Sequence, residues 1–201
     1  KLGVVALSSC EELGKKVDKY LVDWRTEREN EHKNTLAFSG YQRESYLINT
    51  QVSRFGTGEA KGAILESIRG MDLFLLVDVC NYSKTYKVCG KENHMSPDDH
   101  YQDLKRIIAA CNDKASRITV IMPFLYEGRQ HRKTMRESLD CAIMLQELKN
   151  MGVRNIVTFD AHDSRMHNVI PIGSMENISP ALQFTQGLLT EYEDIRIDAD
   201  H

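Results

Sequence analysis

Residues 155–162 read Asn-Ile-Val-Thr-Phe-Asp-Ala-His, a short apolar run that ends in an acid and an imidazole. The part from Asn155 to Phe159 has the length and composition of a strand buried in a sheet. In an open α/β sheet, ligands bind in the crevice at the carboxyl ends of the strands. Asp160 and His162 are therefore candidates for a functional site. The alternative is a plain turn, because Asp is common in loops and an isolated Asp-x-His more often caps a turn than binds a metal.

Strand patterns and amphipathic helix patterns alternate along the rest of the chain. The clearest helix start is Ser96 followed by Pro97 and two aspartates, and the clearest helix end is Gly152. The patterns predict strands at 4–7, 47–55, 63–68, 73–79, 118–122 and 155–159, and helices at 13–24, 96–111, 139–151 and 180–189. This alternation predicts an α/β fold with a mostly parallel sheet flanked by helices.

The chain is expected to form one domain over residues 1–190, followed by an acidic linker over 191–201. Two polar stretches, 25–45 and 82–95, show no clear periodicity. We interpret both as insertions on the surface of the domain.

Composition excludes several classes of protein. The 201 residues carry a net charge of −3, with 27% charged and 41% hydrophobic residues, so nothing suggests a broad attraction to nucleic acid or to a lipid surface. No apolar run is long enough to cross a membrane and no secretory signal pattern opens the chain, so we expect a cytoplasmic protein. The five cysteines form no Cys-x-x-Cys pair, which predicts reduced thiols and no zinc site.

Familiar nucleotide-binding and hydrolase motifs are absent from the sequence. Gly56-x-Gly58-x-x-x-Gly62 has a misplaced third glycine and is followed by a strand pattern, so it is rejected as a dinucleotide fingerprint. The sequence contains no P-loop motif, no nucleophile elbow and no His-Glu-x-x-His motif.

Three loops carry the remaining polar groups: Phe55 with Glu59, the cationic segment 129–133, and Asp160 with His162 and His167. Guanidinium and ammonium groups neutralise phosphate oxygens, while imidazole and carboxylate can hold a divalent cation, which is the equipment that phosphoryl transfer needs. We expect these loops to converge at one rim of the sheet and to cradle a metal-bound polyphosphate. The alternatives are a solvated turn for the cationic segment and core packing for Phe55.

The order of these segments resembles the amino-terminal half of the ribose-phosphate pyrophosphokinases (PRPP synthetases). The resemblance extends from about residue 47 to residue 190, with a weaker match over 3–22. The matching segments are Val52-Ser-Arg-Phe-Gly-Thr-Gly-Glu59, Glu66-Ser-Ile-Arg-Gly-Met-Asp-Leu-Phe74, Arg117-Ile-Thr-Val-Ile-Met-Pro-Phe124, Gly128-Arg-Gln-His-Arg-Lys133, Asp160-Ala-His162 and Ile170-Pro171.

The resemblance implies a phosphoribosyltransferase-like α/β domain and transfer of pyrophosphate from Mg-ATP to ribose 5-phosphate, which gives PRPP and AMP. It implies Mg²⁺ as cofactor, ATP as substrate, and a homo-oligomer, either a dimer or a hexamer. It also implies site residues: Phe55 and Glu59 at the adenine end, Arg129, Gln130 and Lys133 at the nucleotide, His162 as catalytic residue and metal ligand together with Asp160, and Ser67 and Arg69 in a regulatory site between subunits.

The chain departs from the family pattern at three polar positions. Thr57 and Gly173 stand where aspartate is usual, and His131 stands where an acidic residue is usual. The family's second domain, which carries its ribose-phosphate loop, has no counterpart in this sequence, so we expect the fragment alone to be inactive. These departures leave two alternatives open: a catalytically silent paralogue that acts as a regulatory or assembly subunit, and an unrelated α/β nucleotide-binding domain, which the ordered succession of segments disfavours.

Overall fold

The computed structural model describes residues 1–30, 43–111, 113–169 and 174–192. Most of the predicted 25–45 insertion, the Ile170-Pro171 segment, Gly173 and residues 193–201 of the predicted linker lie outside these ranges. The elements in chain order are β1 (Leu2–Ala6), a 3₁₀ turn (Ser8–Cys10), α1 (Glu11–Asn30), β2 (Thr50–Arg54), β3 (Ala60–Ile64), β4 (Asp72–Leu76), β5 (Thr85–Val88), β6 (Lys91–His94), α2 (Pro97–Cys111), β7 (Arg117–Ile121), α3 (Asp140–Asn150), β8 (Asn155–Phe159), a second 3₁₀ turn (Ser164–Val169), β9 (Ser174–Ile178) and α4 (Ala181–Glu191).

The central sheet has five strands in the order β1-β4-β7-β8-β9, and all of its strand pairs are parallel. Its register aligns Val5 with Leu75, Leu75 with Val120, and Val120 with Ile156. The fold class expected from the alternation of strand and helix patterns is confirmed. Because every strand runs in the same direction, the carboxyl ends of the strands all open on one rim.

Apolar side chains cover both faces of the sheet. On one face, Leu75 and Val120 pack with Leu104 of α2 and Leu145 of α3 in the larger core. On the other face, Val4 and Leu76 pack with partly buried residues of α1. Alternating side chains of buried parallel strands must be covered on both sides, which is why helices lie on both faces. Within the described residues, no helix combines the length and apolar character that spanning a membrane requires.

Two antiparallel hairpins lie outside the central sheet. β2 and β3 form one of them, and its strand β3 lies so close to α2 that a Cβ atom on Gly62 would come within 2.9 Å of the backbone of Arg106. β5 and β6 form the other, inside the predicted 82–95 insertion. β6 could not be recognised from the sequence, because all four of its residues are exposed, whereas β5 does alternate exposed and half-buried positions.

Other local predictions differ from the structure in specific ways. α1 continues to Asn30, so the first part of the predicted 25–45 excursion is helical. β9 was not expected, and it extends the sheet beyond β8. In α3, Leu145 and Leu148 of the apolar pattern are buried together with Cys141 and Met144, whereas Ile143 of the same pattern is 58% exposed. The apolar pattern of α3 therefore identified the helix and part of its buried face.

Candidate functional site

A cavity of about 380 Å³ opens on the rim at the carboxyl ends of β7 and β8. It brings together two of the predicted loops, because Arg129 follows β7 while Asp160 and His162 follow β8. The guanidinium of Arg129 lies 6.0 Å from the centre of the Phe124 ring, which is 45% exposed. The lining residues are Phe124, Leu125, Gly128, Arg129, Phe159, Asp160, Ala161 and His162.

The loop after β7 is tied to α2 through Tyr126. Its ring stacks on Tyr101 with ring centres 4.5 Å apart, and its hydroxyl donates a hydrogen bond of 2.6 Å to Asp98. Burial, followed by this bond to Asp98, raises the pKa of the Tyr126 hydroxyl well above its usual range. Glu127 then takes a left-handed φ of 56°, and its carbonyl accepts a hydrogen bond from the Gln130 amide at 2.8 Å. This tight turn places Arg129 at the cavity.

The loop after β8 is held by β9. Asp160 takes a left-handed φ of 46°, and its amide donates to the carbonyl of Ile178 at 3.1 Å. The Ala161 amide donates to Asn177 Oδ1 at 2.9 Å. A left-handed aspartate turns the chain sharply at the end of the strand. Asp160 and His162 are both exposed on the rim as a result.

His131 connects the two loops. Its ring centre lies 5.3 Å from that of His162, and its Nε2 atom lies 3.3 Å from Asp163 Oδ2. Arg165 clamps the same carboxylate with hydrogen bonds from Nε and Nη2, the shorter of 2.6 Å. This clamp lowers the pKa of Asp163 far below its ordinary value, and the charge of His131 adds to the effect. The carboxylate stays ionised near neutral pH and holds His131 beside the catalytic candidate His162.

Phe55 and Glu59 do not line this cavity. They lie in the turn between β2 and β3, on the hairpin that packs against α2, and Phe55 is 53% exposed. The convergence expected from the sequence is thus found for Arg129 and His162 and not, within one chain, for Phe55. Thr57, which stands where the resembled family has an aspartate, donates a hydrogen bond of 2.9 Å to Glu59 Oε2.

The remaining predicted site residues lie at various distances from the cavity. Gln130 and Lys133 are exposed on the cationic loop and do not line it. Ser67 and Arg69 are exposed in the turn before β4, where the Gly70 amide donates to the carbonyl of Lys114. That turn lies at the amino end of the sheet, opposite the rim. The side chain of His167 is outside the described part of the structure.

The donor set of the cavity bears on the metal expected from the sequence. Among residues 1–30, 43–111, 113–169 and 174–192, no three His, Cys, Asp or Glu side chains are grouped so that they could hold a metal ion. Mg²⁺ in phosphoryl-transfer sites is commonly held by one or two carboxylates together with the phosphates of the substrate. Asp160 and His162, the two side chains of this kind that line the cavity, would therefore leave most of the coordination of a cation to other groups.

Three contributors to the site were not predicted from the sequence: Phe124, the Tyr126 anchor, and the contact between His131 and Asp163. Phe124 could have been predicted from the sequence, because it follows the buried strand β7 in the same way that Asp160 follows β8. The Tyr126 anchor depends on contacts with α2, and the position of His131 depends on Asp163 in the loop after β8. Contacts of that kind, between segments far apart in the chain, leave no local pattern.

Comparisons with known proteins agree with this architecture. Residues 2–152 match the family profile described as the N-terminal domain of ribose phosphate pyrophosphokinase. The chain is 27% identical over 146 residues to ribose-phosphate pyrophosphokinase B of Dictyostelium discoideum, covering 72% of this chain and 39% of that protein. It is 30% identical over 121 residues to a ribose-phosphate pyrophosphokinase of Parasynechococcus marenigrum, covering 59% of this chain and 32% of that protein.

A solved structure shares the fold. The phosphoribosylpyrophosphate synthetase of Mycobacterium smegmatis superimposes with a TM-score of 0.66 at 19% sequence identity, over 96% of this chain and 53% of that one. The chain thus spans between about a third and a half of the length of these relatives.

Proposed function

The chain belongs to the ribose phosphate pyrophosphokinase family, whose N-terminal domain it matches over residues 2–152, and we propose that it supplies the nucleotide-phosphate site of such an enzyme. The full protein would transfer pyrophosphate from Mg-ATP to ribose 5-phosphate, forming PRPP and AMP. One observation carries the proposal: Arg129 and His162, from loops after neighbouring strands, line one cavity at the carboxyl rim.

In this reaction the anomeric hydroxyl of ribose 5-phosphate attacks the β-phosphorus of ATP and loses its proton to water. The bond between the β-phosphorus and the oxygen that bridges it to the α-phosphorus breaks, and AMP leaves with that oxygen. Negative charge on the phosphate oxygens is the main obstacle, so catalysis consists largely of positioning and charge stabilisation. Arg129 would hold the phosphates through its guanidinium, and His162 would donate a hydrogen bond to a phosphate oxygen. Mg²⁺, entering with ATP, would neutralise further charge beside Asp160.

The phosphate site is tested by titrating tripolyphosphate and Mg-ATP into the chain in a calorimeter. Arg129→Met should raise the Kd of both ligands by about 10-fold or more, because a hydrogen bond to a charged group contributes roughly 1.5–3 kcal/mol. Arg154→Met is the matched control, since Arg154 is exposed immediately before β8, at the end of the sheet opposite the cavity, and does not line it. Equal losses in the two variants, or no binding to the wild type, would rule out this assignment.

Turnover is tested separately, as AMP formation from ATP and ribose 5-phosphate. The chain spans less than half the length of each of the two relatives from Dictyostelium discoideum and Parasynechococcus marenigrum. We propose that it is inactive alone and becomes active when joined to a domain that binds ribose 5-phosphate. AMP release by residues 1–201 alone would contradict that view.

A second candidate function is a catalytically silent subunit that regulates or assembles with a partner. Two observations favour it. The Thr57 hydroxyl donates a hydrogen bond to Glu59 Oε2, and the Asp163 carboxylate is paired with Arg165 and His131. Groups that pair with one another are less available to a ligand. Tight binding of Mg-ATP together with AMP release by the full-length protein would exclude this candidate.

Assembly completes the proposal. Phe55 and Glu59 are both exposed on a hairpin away from the cavity of their own chain, so we propose that they reach adenine at the cavity of a second copy in a homodimer or homohexamer. Ser67 and Arg69 would then bind a regulatory phosphate or nucleotide between subunits. Sedimentation of the wild type with and without Mg-ATP measures this association.

A further inference from the structure

The β5–β6 hairpin contacts the turn that carries Phe55 and Glu59. The amide of Cys89, at the tip of the hairpin, donates a hydrogen bond of 2.9 Å to the carbonyl of Gly56. The side chain of Val88 packs against the backbone at Gly58, where an added Cβ atom would lie 3.1 Å from Val88 Cγ2. The hairpin therefore touches the turn between Phe55 and Glu59 at two positions, Gly56 and Gly58.

Arg54 joins the two hairpins at the base of this turn. Its guanidinium lies 4.5 Å from the centre of the Tyr86 ring and 2.7 Å from Asp103 Oδ2, and it donates to the carbonyl of Gly58 at 3.4 Å. Tyr86 in turn donates to Asp99 at 3.1 Å. Asp103 is 5% exposed, so this network is anchored in the buried side of α2.

The tip of the hairpin adopts a costly conformation. Cys89 and Gly90 have φ values of 49° and 80°, the pattern of a tight two-residue turn in which asparagine and glycine are favoured at the first position. A non-glycine residue with positive φ persists only where its surroundings over-determine it. Here both the amide and the Sγ atom of Cys89 contact the carbonyl of Gly56, at 2.9 and 3.7 Å, and support this conformation.

We propose that the β5–β6 hairpin is the positioning element of the Phe55–Glu59 turn, and that it thereby sets the affinity of the chain for the nucleobase part of its ligand. This inference rests on the proposed function, which assigns Phe55 and Glu59 to the adenine end. The hairpin itself touches no ligand. Tyr86 and Val88 act through the turn, whereas the phosphate site of Arg129 and His162 is independent of them.

The test compares ATP with tripolyphosphate, which carries the phosphates without the base. Val88→Ala and Tyr86→Leu should raise the Kd for ATP by about 3- to 10-fold and leave the Kd for tripolyphosphate unchanged. Lys87→Ala is the matched control, because Lys87 lies on the same strand and points to solvent. In a Phe55→Leu background, Val88→Ala should cause no further loss of ATP affinity. An equal loss for both ligands, or additive losses in the double variant, would overturn the inference.

Amide hydrogen exchange provides a readout without ligand. The Phe55 amide donates to Glu59 and the Gly58 amide to Phe55, at 2.8 and 2.9 Å. Val88→Ala should speed exchange at both amides and leave the Ala161 amide at the phosphate rim unchanged. If the wild type bound neither ATP nor tripolyphosphate, the proposed function would fail, and exchange alone would decide the positioning role. Unchanged exchange at Phe55 and Gly58 in Val88→Ala would reject that role.

Discussion

Asp163 connects the two rim loops through its contact with His131. It accepts hydrogen bonds from Arg165 and lies 3.3 Å from His131, whose ring contacts His162. The sequence identified His131 as a departure from the resembled family and gave no partner for it. The partner is 32 positions away in the chain, and the contact depends on how both loops fold.

Replacing Asp163 should change the response of the protein to acid. The pKa of this carboxyl is lowered in the folded state, so its contribution to stability is fully present above the unfolded value of about 3.9 and is lost as the pH falls toward the lower folded value. Asp163→Asn should therefore lower Tm between pH 5 and 7, and the difference from wild type should shrink below pH 4. Thermal unfolding from pH 2 to 7 measures this. A difference that stays constant across the range would contradict the ion-pair assignment.

Among the elements, α2 could be read from the sequence almost completely. Ser96 caps it by accepting from the Asp99 amide at 3.2 Å, and Asp99 accepts from the Ser96 amide at 2.9 Å in return. Its apolar residues at helical spacing, which include Leu104 and Ile107, are buried. Local capping chemistry and a strong helical period determine such an element, so no distant contact is needed to recognise it.

The two hairpins show why other elements could not be predicted as fully. Strand patterns revealed β2 and β3, but the position of their turn depends on contacts such as the one between Arg54 and Asp103, which are 49 residues apart. Arg129 and His162 were predicted to meet because both follow buried neighbouring strands. Phe55 lies outside the central sheet, and no rule about strand ends applies to it.

The loop between β7 and α3 provides a prediction at this scale. Tyr126→Phe keeps the ring stack on Tyr101 and removes the hydroxyl that donates to Asp98, so unfolding in urea should show a loss of about 0.5–1 kcal/mol. Because the loop carries Arg129, the variant should also bind tripolyphosphate more weakly than wild type. Tyr82→Phe, at a tyrosine that is 56% exposed, is the control. A stability loss without any change in tripolyphosphate binding would mean that the anchor does not position Arg129.

At the scale of the whole molecule, α4 stands apart from the rest. None of its residues is buried, and its apolar side chains fall on one side of the helix. The exposed members are Leu182, Phe184, Leu188 and Leu189. Neither hydrophobic core of the central sheet includes a residue of this helix. We therefore expect the stability of the described domain to come from the five-stranded sheet and from α1, α2 and α3.

A matched pair of leucines tests that division. Leu104→Ala, at a fully buried position of α2, should cost about 2–5 kcal/mol of unfolding free energy, because it leaves a cavity in the larger core. Leu188→Ala, at a position of α4 that is 51% exposed, should cost less than about 0.5 kcal/mol. Urea denaturation of both variants gives the comparison. A large loss in Leu188→Ala would show that α4 packs against the domain in solution.

The order of strands in the sheet also bears on how the chain is synthesised. β4 pairs with β1, β7 with β4, β8 with β7, and β9 with β8, so each strand docks on one that precedes it in the chain. As the polypeptide leaves the ribosome, no strand of this sheet has to wait for a later one. The Arg129 loop emerges before the His162 loop, and the rim is complete only when β9 pairs with β8 and holds the loop of Asp160 and Ala161.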